Sequence, residues 1–467
     1  MRLRTRLSLF SPVSTVLAAL LFGLVPQPFQ GAEQAKPNVI VIVSDDQGSV
    51  DARCYGAQDL LTPGIDRLAA QGLRFTQFYS AAPVCSPSRA GLLTGRYPWL
   101  AGMPSNAADP PSEGDDQLDT LTGQGLPATE VTLAKMFHAA GYATAHIGKW
   151  HLGSGLGHKP LDQGFDYSFG FMGGCIDNYT HFFYWGGANR HDLWENNQRV
   201  RLPGHYFPDL MVEKAEAFIA AHPTQPFFMY FAINMPHYPY QGDEKWLRHY
   251  RTLPYPRNLY AAFVSTLDER VDRLVKYLEG AGLRKETIII YQSDNGHSVE
   301  ERAHFGGGSS GPYRGAKFSV FEGGIRLPAI ISWPGHLPEG QVRGQVAHSC
   351  DWMPTLAELC RVPLPKVRLN GCSLGGVLRS PDAQSPHDVL EWRQGDQWAV
   401  RQGPWKLLHN PDDRADAKKL AQADREWFLA NVNDDPGERT NVASMHPDIV
   451  GKLRSLATRN PEEPAAK

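Results

Sequence analysis

Two acidic turns carry the chain's most chemically suggestive oxygens. Asp45 and Asp46 end the segment PNVIVIVSDDQG, and Asp294 and Asn295 end TIIIYQSDNG. The four side chains offer only oxygen ligands, which suits a hard cation such as calcium better than zinc. Either pair alone reads more readily as a helix cap or turn former than as a metal site. The segment VCSPSRAGLLTGR sets Cys85 before a proline suited to a first helical turn, with Arg89 about one turn on and no acid nearby. Free backbone N–H groups and Arg89 favour an anion there. Cys85 reads on its own as a small buried thiol beside a helix start or as a thiolate nucleophile, and this window does not separate the two.

Three further windows add polar groups. In AHIGKWHLG, Lys149 and His151 are alternate residues of an extended segment, so both can face one pocket. In NMPHYP, His237 stands between two prolines after a strand, and PYRGAKFSVFEGGIRLP presents Lys317 in a Gly-rich turn. A surface lysine or a structural histidine is the ordinary reading of each window by itself.

The elements that must position these groups follow from pattern. PNVIVIVS, PFFMYFAIN and TIIIYQS are continuous apolar runs, as in strands buried on both faces. RFTQFYS and YATAHIG read as strands, and TPGIDRLAAQG and ATEVTLAKMFHAAG as helices. A long helix is expected over NLYAAFVSTLDERVDRLVKYLEGAG, where Leu259, Phe263, Leu267, Val271, Leu274 and Leu278 share a face. The alternation predicts an α/β fold, a large mixed and mostly parallel sheet flanked by helices. Sites in such sheets lie beyond the carboxyl ends of the strands, so DDQG and SDNG can converge. After about residue 385, DVLEWRQ, QWAVRQGPWKLLHN and WFLANVNDD predict a smaller antiparallel sheet with a terminal helix, and RNPEEPAAK a frayed tail.

At 467 residues the chain exceeds the usual span of a single core, so one large domain and a smaller one are expected. A net charge of −3 provides no global field for nucleic acid or a membrane surface. Residues 1–32, with three arginines, an apolar run and small residues near Gly31, read as a signal peptide, too short in its apolar part for a stable membrane anchor. The boundaries expected are therefore a signal peptide at 1–32, a catalytic domain at 33–384 and a small α+β subdomain at 385–467, in an exported protein, periplasmic or extracellular. Six cysteines are too few for a disulfide framework in a chain of this length. Cys350 and Cys360, about 15 Å apart if helical, read as separate thiols.

In order along the chain, DDQG, CSPSR, GKWHLG, PHYP, SDNG and RGAK followed by EGGIRLP resemble the motifs of the sulfatases of the alkaline phosphatase superfamily, from about Pro37 to the NVNDDPGERTNV segment. CSPSR is similar to the C-x-P-x-R signature read by a formylglycine-generating maturation enzyme. The resemblance implies that Cys85 becomes formylglycine, hydrated to a geminal diol. It implies that Asp45, Asp46, Asp294, Asn295 and the modified Cys85 bind Ca2+. Arg89 would then hold the diol, and Lys149 and Lys317 would neutralise sulfate oxygens. His237 would protonate the leaving alcohol, and His151 would take a proton so that sulfate is expelled. Asn370 stands where family members often carry Asp.

The aromatic stretch GFMGGCIDNYTHFFYWGGANRHDLWENN supplies Tyr179, His181, Tyr184, Trp185 and Trp194 among polar residues. Tyr179, His181 and Trp185 are the candidate substrate-binding residues, either as sugar platforms or as rings packed on the domain. A sulfated carbohydrate is the expected substrate, such as a galactosamine or glucosamine 6-sulfate or an algal unit, with aryl sulfates also accepted. The competing readings are a phosphonate or phosphate monoester hydrolase of the same superfamily and a non-catalytic binder of sulfated glycans.

Overall fold

The computed structural model describes residues 36–108, 125–183, 190–415 and 420–457. The expected signal peptide and the RNPEEPAAK tail lie outside the described residues. The strand Asn38–Ser44 runs through the middle of the main sheet and is buried along its whole length. Its alternation explains why it is apolar throughout. Val39, Val41 and Val43 join the core on one face, with helices Cys85–Thr94, Leu133–Ala139 and Trp352–Cys360. Ile40 and Ile42 join the core on the other face, with helices Pro63–Ala70, Phe207–Ala221 and Arg257–Gly280.

Across the sheet the main strands run in the order Leu73–Tyr79, Arg326–Ser332, Thr287–Ser293, Asn38–Ser44, Phe227–Ala232, Ala143–Lys149 and Tyr167–Phe171. The last five are mutually parallel. Arg326–Ser332 is antiparallel to both of its neighbours. Register then places the functional windows along a single edge. Ser44 pairs with Ser293, Val43 with Ala232, and Ala232 with Gly148, so the segments leaving these strands depart side by side. Arg326 pairs with Tyr79, which brings the entry to the antiparallel strand, carrying Lys317, and the exit toward Cys85 to that same edge.

The long helix Arg257–Gly280 buries Phe263, Leu267, Val271, Leu274 and Leu278 as its spacing requires, while Leu259 in the first turn is half-buried. The second sheet is an antiparallel meander of Val389–Gln394, Gln397–Gln402, Trp405–His409 and Phe428–Asn431. One face of it packs Leu390, Trp392, Ala399, Leu408 and Phe428 against Tyr79, Phe321 and Ile325. The other face packs Val400, Leu407 and Leu429 under Leu453 of the terminal helix Pro447–Ala457. All six cysteines are free thiols.

Candidate active site

The helix Cys85–Thr94 starts at the nucleophile candidate, is buried at every residue and ends at Gly95, whose φ of 66° is the left-handed turn that glycine adopts at no steric cost. Asn370 receives the Tyr97 N–H at 2.8 Å and donates its own N–H to the Gly95 carbonyl at 2.9 Å, so the position that departs from the family pattern braces this helix end.

At the helix start the windows meet. Lys149 Nζ lies 2.8 and 2.9 Å from the two Asp45 oxygens and 3.5 Å from Cys85 Sγ. Arg89 reaches Asp294 Oδ2 through Nε at 3.1 Å and Nη2 at 2.8 Å, and lies 3.4 Å from Asp45. Lys317 Nζ is 2.9 Å from Asp46 Oδ2, and Asn295 Nδ2 donates to Asp46 Oδ1 at 2.7 Å. His237 Nε2 lies 3.5 Å from Lys317 Nζ and 3.6 Å from Asp46 Oδ2. Asp294 Oδ1 accepts the backbone N–H of Asp46 and of Asn295, tying the two acidic turns together.

His151 stands in the left-handed region at φ 54°, with its ring against Gly174, where an added Cβ would sit 3.2 Å from Cε1. Its Nδ1 is buried without a hydrogen-bond partner among the described residues. Burial, reinforced by the Lys149 and Arg89 cations, holds the His151 imidazole well below its ordinary value, so it is neutral and able to accept a proton. Burial likewise outweighs Asp46 and holds His237 well below the ordinary value. Its Nδ1 faces the Tyr238 carbonyl at 2.7 Å and must donate there, which leaves Nε2 as the acceptor facing Lys317. Burial pushes the Cys85 thiol up to about 12 despite Lys149, so an unmodified Cys85 is a thiol and not a thiolate.

Asp45, Asp46, Cys85 and His237 each offer a ligand atom within 4.8 Å of the others. The Asn295 side-chain oxygen Oδ1 is buried and accepts no hydrogen bond among the described residues. The three enclosed aspartates Asp45, Asp46 and Asp294 are matched one for one by Lys149, Lys317 and Arg89, with Glu300 as a fourth, more exposed carboxylate beside Lys317. A divalent cation fits this oxygen-rich set, and it would leave the cluster net positive, as capture of an anion requires.

All ten catalytic and metal candidates therefore lie in one cluster or against it. The aromatic candidates divide differently. Tyr179 stacks on Tyr206 and remains 42% exposed. His181 is fully buried, its Nε2 bonded to the His205 carbonyl, so its ring braces the loop instead of meeting solvent. Trp194 is buried with its indole N–H on Asp192. Tyr184 and Trp185 lie outside the described residues. Tyr255 and Phe305 expose their rings on nearby turns, which no spacing in the sequence indicated.

Three groups at the site escaped sequence reasoning. The Ser88 hydroxyl donates to the Asp294 carbonyl at 2.5 Å, Tyr230 OH lies 3.4 Å from Arg89, and Glu300 pairs with Lys317 at 3.3 Å. Ser88, within CSPSR, and Glu300, six residues past Asp294, were visible as polar residues beside motifs.

The family model described as Sulfatase matches residues 37–362. Arylsulfatase A of Homo sapiens is 34% identical over an alignment covering 95% of this chain and 90% of that protein. N-acetylgalactosamine-6-O-sulfatase of Bacteroides thetaiotaomicron is 30% identical, covering 92% and 94%. The crystal structure of Ps i-CgsB in complex with k-i-k-neocarrahexaose superposes with a TM-score of 0.77 at 28% identity, covering 90% of this chain and 92% of that one. A likeness that spans both acidic turns, the Cys85 helix and the Lys317 turn has one consequence: the chain belongs to the sulfatase family and is a sulfuric ester hydrolase.

Proposed function

We propose that this sulfatase removes sulfate from a sulfated carbohydrate, with formylglycine formed from Cys85 as nucleophile and calcium held by Asp45, Asp46, Asp294, Asn295 and the modified residue. The observation that carries the reading is the convergence of Asp45, Asp46 and Lys149 on Cys85 at the start of a wholly buried helix. Calcium, when bound, supplies positive charge for a sulfate oxygen. Formylglycine, when hydrated, supplies a hydroxyl that an ordinary cysteine lacks. Lys149 and Lys317 lie on two sides of the cluster and offset the charge that shifts onto sulfate oxygens as the ester bond breaks. Arg89, fixed by Asp294, holds the nucleophile's surroundings rigid. His237, whose Nε2 is an unprotonated acceptor at rest, takes a proton from solvent at that atom and delivers it to the leaving alcohol. Neutral His151 accepts a proton in the step that frees sulfate, so acid and base are separate imidazoles.

The carbohydrate half of the reading draws on the relatives' names, an N-acetylgalactosamine-6-O-sulfatase and a protein solved with a neocarrahexaose, and on the exposed rings of Tyr179, Tyr255 and Phe305. Residues 1–32 are proposed to direct export to the periplasm or beyond, with a catalytic domain at 33–384 and a subdomain at 385–467. Maturation requires an enzyme that reads CSPSR.

Mass analysis of the Cys85 peptide from the native source, paired with kcat/KM on matched aryl sulfate and aryl phosphate, tests the proposal. An aldehyde or its hydrate at Cys85 with preference for sulfate is expected. An intact thiol without turnover favours a glycan binder, and a phosphate preference favours a phosphomonoesterase.

A further inference from the structure

Glu300 is an anion where the chemistry calls for cations. Its side chain is 22% exposed, whereas those of Asp45, Asp46 and Asp294 are almost wholly enclosed. A carboxylate beside a sulfate-binding lysine weakens capture of an anion. Asp46 already neutralises Lys317 from 2.9 Å. Neutralising Lys317 therefore does not account for Glu300.

The hydrogen bonds of Glu300 are one-sided. Oε2 receives the Ser298 hydroxyl at 3.0 Å and the Tyr238 hydroxyl at 3.3 Å, and it is the oxygen 3.3 Å from Lys317 Nζ. Oε1 takes no hydrogen bond from a described residue. The backbone is equally fixed, since the N–H groups of Ala303 and Phe305 both donate to the Glu300 carbonyl, at 2.9 and 3.0 Å. Two of the three groups that anchor Oε2, Lys317 and Tyr238, also flank His237. Lys317 Nζ is 3.5 Å from its Nε2, and the Tyr238 ring centroid is 4.2 Å from that of His237. The open oxygen is thus held next to the point at which a leaving alcohol is protonated. An ionised carboxylate can only accept hydrogen bonds.

We infer that Glu300 Oε1 accepts a hydrogen bond from a neutral donor, a hydroxyl or an amide N–H, on the sugar ring that departs from the sulfate. The same charge selects against a second sulfate or a carboxylate on that ring. The inference rests on the carbohydrate reading above and narrows it to a neutral, monosulfated leaving unit.

The test is kcat/KM of the wild type, Glu300→Ala and Glu300→Gln on 4-nitrophenyl sulfate, N-acetylgalactosamine 6-sulfate and a disulfated N-acetylgalactosamine. Glu300→Ala is expected to lower the value for the sugar monosulfate about tenfold further than for the aryl sulfate, because the lost acceptor leaves a sugar donor unpaired. Glu300→Gln keeps an acceptor oxygen without the charge. It should recover most of the loss on the monosulfate and raise the disulfate relative to the monosulfate several-fold. An equal fall on all three substrates overturns the inference and leaves Glu300 as a partner of Lys317 alone. A wild type that hydrolyses the aryl sulfate but neither sugar overturns the carbohydrate reading, and this inference with it.

Discussion

Lys406 lies wholly enclosed where the second sheet meets the first, 3.0 Å from Glu322 Oε1 and 2.9 Å from Glu438 Oε1. Glu322 also accepts from Tyr79 OH at 2.7 Å and pairs with Arg326 at 3.2 Å, and Glu438 Oε2 receives the Glu322 N–H at 2.6 Å. Burial raises both carboxyls, but their surroundings differ. Glu322 faces Lys406, Arg326 and Arg401 and is held down to about 2, whereas Glu438 has one cation against burial and the Glu322 charge and is pushed up to about 7. Replacing Lys406 with Met removes the principal downward pull on both. Breaking a buried pair by deleting one partner costs about 3–5 kcal/mol. The sign with pH follows from linkage. A carboxyl whose folded value is raised binds its proton more tightly in the folded state, so its stability contribution is present at low pH and is lost as pH rises through that value. Lys406→Met should therefore lose least near pH 5.5 and most near pH 8. Wild type shares this loss up to about pH 7 through Glu438 itself, so the extra loss in the variant falls above that value and reaches about 1.4 kcal/mol by pH 8 for one further retained proton. Urea midpoints at the two pH values for wild type, Lys406→Met and Lys406→Met with Glu438→Gln check this, and the added Gln should restore stability at the higher pH. A loss below about 1 kcal/mol that does not change with pH refutes the reasoning.

The second sheet also reaches the site through Gln397, whose Nε2 donates to the Phe318 carbonyl at 3.0 Å while Phe318, at φ 70°, donates its N–H to the Pro83 carbonyl at 2.7 Å. Gln397→Ala should lower kcat about tenfold with little change in KM, and should cost nothing further when Lys317 is already Ala. A full additional loss in that background sinks the positioning role. Stripping divalent ions with a chelator should abolish turnover and lower the melting temperature, with calcium restoring both and zinc neither, while unchanged melting and activity would contradict a bound cation. Asp268 accepts the N–H groups of Gly64 and Ile65 at 2.9 and 2.7 Å at the start of helix Pro63–Ala70. Asp268→Ala should cost about 1–3 kcal/mol in a denaturation experiment with unchanged kcat/KM, and an activity loss at full folding would show an unrecognised link to the site.

Local composition was enough to find the site's parts and the strands that carry them. Val39 to Val43 are apolar on both faces because both faces are covered, and a run of that kind declares a central strand without any knowledge of its neighbours. Cys85, Lys149, His151 and His237 stood out because they stand at a helix start or just at or beyond a strand end, while Arg89 lies one turn into the Cys85 helix and Lys317 in a Gly-rich turn. Sequence pattern does not encode which strand lies beside which. The pairings of Ser44 with Ser293 and of Arg326 with Tyr79 decide that six windows, spread over more than 270 positions, share one edge. Partnership of charges was likewise beyond reach, because Glu300, Gln397 and Lys406 look like ordinary surface residues until distant segments enclose them. The aromatic loop shows the same limit from the other side. Tyr179 and His181 are two residues apart in the chain, yet one ring meets solvent and the other braces the loop, because the loop's own packing and not its composition chooses the exposed face.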